Sequence, residues 1–201
     1  MIAVIDCNVG NLFSVKNALD YIGEESVITN DVDEIEKADG LILPGVGAFP
    51  NAMREVQKLN LQDVIKEQAE HKPLLGICLG MQMLFDKGFE FEECNGLGLI
   101  PGEIRMLPDK GLKIPHMGWN ALQYKNPSPL LDGIPEGSYF YFVHSYMAYT
   151  DDKYISAYAE YGDEITTIVW DGKYVFGSQC HPEKSGEIGL MLLKNFGRLL
   201  K

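Results

Sequence analysis

Two short segments of this chain carry residue types that do covalent chemistry together. Gly76-Ile77-Cys78-Leu79-Gly80 sets a cysteine between glycines at the end of an apolar run, and His181-Pro182-Glu183 sets a histidine and a carboxylate two residues apart. A Gly-x-Cys-x-Gly segment entered from a strand and left into a helix is a nucleophile elbow with sulfur in place of oxygen. The glycines are expected to let the chain turn sharply without a Cβ clash, and the following helix to offer positive potential and free N–H groups beside the sulfur. Such surroundings favour the thiolate, the reactive form of cysteine. Taken alone, the segment also fits a buried cysteine at a Gly-rich strand end.

A thiolate needs a base within reach and a third group that orients the base. The chain has four histidines. His71 sits in a polar helix tail and reads as exposed; His116 reads as part of the loop Pro115-His116-Met117-Gly118. His144 lies in an aromatic strand, where a structural role or a substrate contact both fit. His181 follows the strand Tyr174 to Ser178, at the sheet edge where open α/β folds build their sites. Proline restricts the residue before it to extended conformations and fixes its own φ, so His181 and Glu183 are held in a stiff segment. Glu183 can then bond one ring nitrogen while the other faces a thiol, selecting the tautomer and stabilising the imidazolium.

Attack of Cys78 on an amide carbonyl creates an oxyanion that backbone N–H groups must receive. The residue after the nucleophile, Leu79, supplies one donor. The loop Pro44-Gly45-Val46-Gly47 is the candidate for the other, through Val46 or Gly47. A Gly-rich loop could instead cradle phosphate, but this one lacks both the Gly-Lys-Ser/Thr ending and the Gly-x-Gly-x-x-Gly spacing. Gln82, four residues after Cys78, shares a helical face with it and sets a polar group over the nucleophile. A capping or solvent-facing glutamine fits that spacing equally well.

These residues need elements to position them. Ile2 to Asp6 reads as a strand buried on both faces, Leu12 to Ile22 as a helix ending at Gly23, Ser26 to Thr29 as a strand and Asp31 to Lys37 as a short polar helix. Gly40 to Leu43 is a third buried strand running into the Pro-Gly loop; Ala52 to Glu70 is helical with a break near Asn60. The cysteine strand follows, then an elbow helix through about Phe85. Strands alternating with helices at this spacing mean βαβ units and a parallel sheet. After about Glu90 strand-like segments dominate: Gly102 to Leu107, Trp119 to Tyr124, Tyr139 to Tyr149, Ile155 to Tyr161, Ile165 to Trp170 and Lys173 to Gln179. Asp171-Gly172 between the last two is a hairpin signal, and a helix from about Ser185 to Leu200 closes the chain. The expected fold is one α/β domain over 1–201, a central, mostly parallel sheet flanked by helices with an antiparallel or mixed extension.

Composition narrows the function. With 201 residues and a formal charge of −12, the chain can bury a substantial core without staples, and it lacks the clustered Lys and Arg of a nucleic-acid-binding surface. No apolar run reaches membrane-spanning length and no leader pattern is visible, so a cytoplasmic location is expected. The four cysteines are scattered without Cys-x-x-Cys or zinc spacing, which reads as free thiols and no metal.

Together the elbow, the upstream Pro-Gly-x-Gly loop and the late His-x-Glu resemble the class I (triad) glutamine amidotransferase family, in that family's order and across nearly the whole chain. The blocks Gly10-Asn11-Leu12, Pro44 to Phe49, Gly76 to Gln82, His116-Met117-Gly118-Trp119-Asn120, Tyr141 to Tyr146 and His181 to Ser185 are similar to those of members that serve as the glutaminase subunit of a synthase. The resemblance implies a class I amidotransferase-like fold and no cofactor. It implies that Cys78 attacks the side-chain amide of glutamine, that His181 protonates the departing ammonia and then activates water, and that Glu183 orients His181. Gln82, Gly47 and the segment His144-Ser145-Tyr146 would contact substrate. The implied partner is a separate (β/α)8-barrel cyclase receiving ammonia through an internal tunnel, with Asn11, Trp119, Tyr141 and Lys184 near the interface. One departure is Asp6-Cys7-Asn8-Val9-Gly10, where the family more often has an aromatic residue and a glycine at the positions of Cys7 and Asn8. A stand-alone γ-glutamyl hydrolase, an amidotransferase subunit with another acceptor and a catalytically silent subunit are the competing readings. The intact Cys78, His181 and Glu183 set argues against the last.

Overall fold

The computed structural model describes residues 1–200. Strand β1 (Ile2–Ile5) is buried at every position, and its alternating side chains serve two layers. Ile2 and Val4 pack with Val15, Ala18 and Leu19 of helix α1 (Leu12–Tyr21) and with Leu192, Leu193 and Phe196 of the last helix, α6 (Gly186–Arg198). Ala3 and Ile5 face the other layer: Ile35 of α2 (Val32–Lys37), Met53 and Val56 of α3 (Phe49–Lys58), and Leu61 and Ile65 of α4 (Leu61–Ala69). The expected break near Asn60 is present: Asn60 takes the left-handed conformation at φ 57° and separates α3 from α4. Asparagine is among the few side chains that enter that region readily.

One sheet runs β2 (Ser26–Thr29), β1, β3 (Gly40–Gly45), β4 (Leu74–Cys78), β13 (Val175–Ser178), β12 (Glu164–Trp170), β11 (Ile155–Glu160), β8 (His116–Tyr124), β9 (Tyr139–His144). Its first five strands are parallel and the remaining pairings antiparallel, as expected for a parallel core with an antiparallel extension. A second, four-stranded sheet orders β10 (Tyr146–Tyr149), β7 (Ile100–Met106), β5 (Phe85–Gly88) and β6 (Cys94–Asn95). Among the described residues no helix is long and apolar enough to cross a membrane.

Three local expectations are corrected. Helix α5 (Leu79–Met83) ends before Phe85, whose ring is fully buried and whose segment opens the second sheet. The stretch Tyr139 to Tyr149 is two strands in different sheets, divided at Ser145. His116 is not in a loop but begins β8, paired across from His144. The proline and glycine around it look like a turn, yet pairing with β9 imposes a strand.

The register brings the chemistry together. Gly45 at the end of β3 lies beside Cys78 at the end of β4, and Ser178 at the end of β13 beside Ile77. The Pro-Gly loop, the cysteine and the histidine segment therefore emerge side by side at the carboxyl edge of three parallel strands, where such sheets bind ligands.

Candidate active site

Cys78 holds φ 55° and ψ −110°, a region costly for any residue with a Cβ and found chiefly at functional turns. The flanking glycines serve closeness rather than the turn itself. A Cβ on Gly80 would stand 1.7 Å from the Leu43 carbonyl oxygen, and one on Gly76 2.6 Å from the Gly80 oxygen. The strained dihedral falls on the cysteine, and the glycines let β3, β4 and α5 approach tightly enough to enforce it. With five residues, α5 offers free N–H groups at Leu79 and its neighbours more than it offers a long helix dipole.

The histidine segment is fixed from several sides. The His181 N–H donates to the Tyr141 carbonyl at 2.9 Å, and the Ser185 hydroxyl donates to the His181 carbonyl at 2.6 Å while accepting from the Tyr141 N–H at 3.0 Å. His181 is extended, and Pro182–Lys184 form a single 3-10 turn. Glu183 reaches the ring through that turn rather than along an extended strand. Its Oε1 lies 2.7 Å from His181 Nδ1, with both side chains about 2% exposed. His181 Nε2 and Glu183 Oε2 are buried without a hydrogen-bond partner. Burial works against the His181 cation, but the neighbouring Cys78 sulfur and Glu183 carboxylate outweigh it and raise the ring to about 9. The imidazolium is therefore the form present at neutral pH.

These groups open on a cavity of about 310 Å³ whose walls include Val46, Gly47, Cys78, Leu79, Gln82, His144, Ser145, Tyr146 and His181. Gln82 is buried; its Nε2 donates to the Tyr146 carbonyl at 3.1 Å and to Gln179 Oε1 at 3.0 Å. Gln179 Nε2 in turn donates to Cys78 Sγ at 3.8 Å. His144 lines the cavity, but both its ring nitrogens are engaged, one with His116 at 3.0 Å and one with the Tyr146 carbonyl at 2.8 Å.

Sequence reasoning missed Glu90, Gln179 and His116. Glu90 also lines the cavity, and its Oε2 accepts the Phe49 N–H at 2.7 Å, bracing the end of the Pro-Gly loop. In the sequence it stands near Glu92 and Glu93 and reads as part of a solvated acidic stretch. Gln179 is adjacent to Cys180-His181 but carries no spacing signal of its own.

The remaining singled-out residues cluster beside His181. Trp119 is about half exposed and meets Tyr141 edge-on with ring centres 6.0 Å apart; Tyr141 is 6.4 Å from the His181 ring; the Lys184 ammonium sits 6.0 Å over Tyr141. Asn11 caps α1 by accepting the Ser14 N–H at 3.4 Å and borders a crevice that includes His181 and Glu183. At the sequence departure, Asn8 adopts φ 57°, the region a glycine would favour, and its amide donates to Glu55 Oε2 at 2.9 Å. Cys7 is fully buried. Among the described residues no group of three or more His, Cys, Asp or Glu could hold a metal.

A strained cysteine, a carboxylate-bound histidine and a Gly-rich loop meet on one parallel-sheet edge, the arrangement a cysteine nucleophile requires. Residues 3–199 match the family model "Glutamine amidotransferase class-I", and the chain belongs to that family. It is 52% identical over 197 residues to the imidazole glycerol phosphate synthase subunit HisH of Bacillus cereus (strain G9842), covering 98% of this chain and 93% of that protein. The corresponding HisH of Bacillus mycoides (strain KBAB4) is 51% identical over the same coverage. Among solved structures, PurLQS from Thermotoga maritima superposes with a TM-score of 0.76 at 21% identity, covering 100% of this chain and 98% of that one. A glutamine amidotransferase structure gives a TM-score of 0.76 at 20% identity, covering 99% and 98%.

Proposed function

We propose that the chain is the glutaminase subunit of an imidazole glycerol phosphate synthase, one glutaminase domain over 1–201 working in the cytoplasm. Cys78 Sγ attacks the carboxamide carbon of glutamine. The oxyanion is received by the Leu79 N–H and by Val46 or Gly47, each such donor being worth about 3–4 kcal/mol of barrier. His181, held as the imidazolium by Glu183, gives its proton to the amide nitrogen, and ammonia leaves as the C–N bond breaks. The neutral His181 then takes a proton from water as the water attacks the glutamyl thioester. Collapse of that adduct expels the sulfur, frees glutamate and restores the starting state.

Gln82, with Nε2 spent on Tyr146 and Gln179, offers its carbonyl oxygen to the substrate. His144, Ser145 and Tyr146 line the substrate cavity with it, and Glu90, one oxygen of which accepts the Phe49 N–H, would offer the other to the α-ammonium group. Ammonia passes to a (β/α)8-barrel cyclase that makes imidazole glycerol phosphate and aminoimidazole carboxamide ribotide, a step of histidine biosynthesis. Asn11, Trp119, Tyr141 and Lys184 face that partner. The exposed Trp119 beside Tyr141, itself against His181, supports this docking face.

The observation that carries the reading is the buried His181–Glu183 pair, whose histidine lines the same cavity as a conformationally strained Cys78. Cys78→Ala tests it. Glutamine-dependent synthesis by the assembled complex is expected to vanish while ammonia-dependent synthesis survives. Loss of both with assembly intact would overturn the role given to Cys78.

A further inference from the structure

A second buried histidine pair reaches the same cavity through one member, His144, and takes no part in the chemistry above. His116 and His144 face one another across β8 and β9 and are 3% and 6% exposed. His116 is clamped between the rings of Tyr161 and Phe142, at 4.1 and 4.7 Å.

Their hydrogen bonds permit one arrangement of protons. The Tyr146 carbonyl can only accept, so His144 Nδ1, 2.8 Å away, carries a hydrogen. In the neutral ring His144 Nε2 is then bare and accepts from His116 Nδ1 at 3.0 Å. His116 Nε2 is bare in turn, and the Asn120 Nδ2 donates to it at 3.4 Å. Asn120 cannot be reversed, because its Oδ1 accepts the Ala121 N–H at 2.8 Å and its Nδ2 also donates to the Glu160 carbonyl at 3.0 Å. At the other end the Tyr146 carbonyl also receives Gln82 Nε2, whose other hydrogen goes to Gln179 Oε1. The chain thus runs without a gap from Asn120 on β8 to the carboxamide beside the nucleophile. Burial pushes both rings down to about 4, so neither carries a second proton at neutral pH.

We propose that His116 is a positioning residue for glutamine: by donating to His144 it fixes the Tyr146 carbonyl, and this carbonyl holds Gln82 with its oxygen end toward the substrate. His144 is accordingly a support of the pocket wall, since neither ring nitrogen is left for a ligand. A buried polar chain of this length costs desolvation that an apolar filling would avoid. Its far end terminates on two groups that line the glutamine cavity. The proposal rests on the glutaminase reading and deepens it.

The test compares two labels of Cys78 in the full chain, a γ-diazoketone analogue of glutamine and iodoacetamide. The first reads the glutamine pocket and the thiol, the second the thiol alone. His116→Phe keeps the ring stack but has no donor; His116→Asn keeps a donor near the Nδ1 position. Labelling of His116→Phe by the analogue is expected to fall about tenfold, the scale of one neutral hydrogen bond, with iodoacetamide labelling unchanged. His116→Asn should recover most of the loss. An unchanged analogue rate in His116→Phe, equal loss of both labels, or no recovery in His116→Asn overturns the proposal. Nitrogen-15 spectra of the unmodified protein provide a check that needs no variant: both rings should carry the hydrogen on Nδ1, and an Nε2–H tautomer at either ring overturns the proposal. An unmodified Cys78 that shows no preference for the glutamine analogue overturns the glutaminase reading itself, a failure distinct from one confined to the variants.

Discussion

His181 and His144 line one cavity, both buried, and carry opposite protonation. Burial disfavours the cation in each, yet His181 is raised to about 9 while His144 is lowered to about 4. The difference lies in what the two ring nitrogens meet. His181 has a carboxylate at 2.7 Å on one nitrogen and the Cys78 sulfur near the other. His144 has a carbonyl on one nitrogen and the N–H of a second imidazole on the other. A negative neighbour offsets desolvation, whereas a neutral donor leaves no place for another proton. One pocket therefore holds a charged and a neutral ring of the same residue type.

The largest effect is expected at the carboxylate. Glu183→Gln keeps the shape but removes the charge, and glutamine turnover should fall roughly 10²- to 10⁴-fold, the range for a mispositioned base. Steady-state kinetics showing less than a threefold loss would mean that Glu183 does not set the state of His181. Next comes the sulfur. In the unmodified protein the His181 ring should titrate near 9, and Cys78→Ala should move it downward because the sulfur's contribution is gone. NMR that finds no movement would remove the thiol from the explanation.

The neutral pair gives a smaller effect with a definite sign. His116 and His144 bind protons near 6.5 when unfolded and only near 4 when folded. The unfolded chain therefore takes up more protons between those values, so the pair's contribution to stability is complete above about 6.5 and is lost as pH falls toward 4. Denaturant titrations should show stability dropping over that window, less steeply in His116→Phe; a stability rising with acid would contradict the neutral assignment. The smallest effect belongs to the end of the chain. Asn120→Ala removes the 3.4 Å contact to His116 together with the bonds to the Glu160 carbonyl and the Ala121 N–H, and at about 1 kcal/mol per neutral hydrogen bond should cost about 1–3 kcal/mol, measured by the shift in denaturation midpoint. A cost near zero would mean that Asn120 anchors neither β8 nor the His116 ring.

Much of the site is legible in residue type and spacing because its chemistry is local. Gly-x-Cys-x-Gly and His-x-Glu each bring their groups together within a few residues, so the sequence shows them directly. The parallel half of the fold is legible for a similar reason: β1, β3 and β4 are continuous apolar runs buried on both faces. The second sheet is not. Phe85–Gly88 and Cys94–Asn95 have no strand pattern of their own; the first is extended by pairing with β7 and the second by pairing with β5. Glu90 and His116 escape for the same reason, since what places Glu90 on the cavity is the Phe49 N–H forty-one residues away, and His116 acquires its role from β9.

Residue type and spacing alone point to a thiol between glycines, a histidine and a carboxylate two residues apart, a Gly-rich loop and an alternating α/β chain, because each of these is written in neighbouring residues. The tertiary structure alone decided that Cys78 bears the strained turn while the glycines supply room. It also decided which histidine is charged and which is neutral. Backbone strain and proton affinity depend on atoms that approach from distant strands, and no local pattern encodes which atoms those will be.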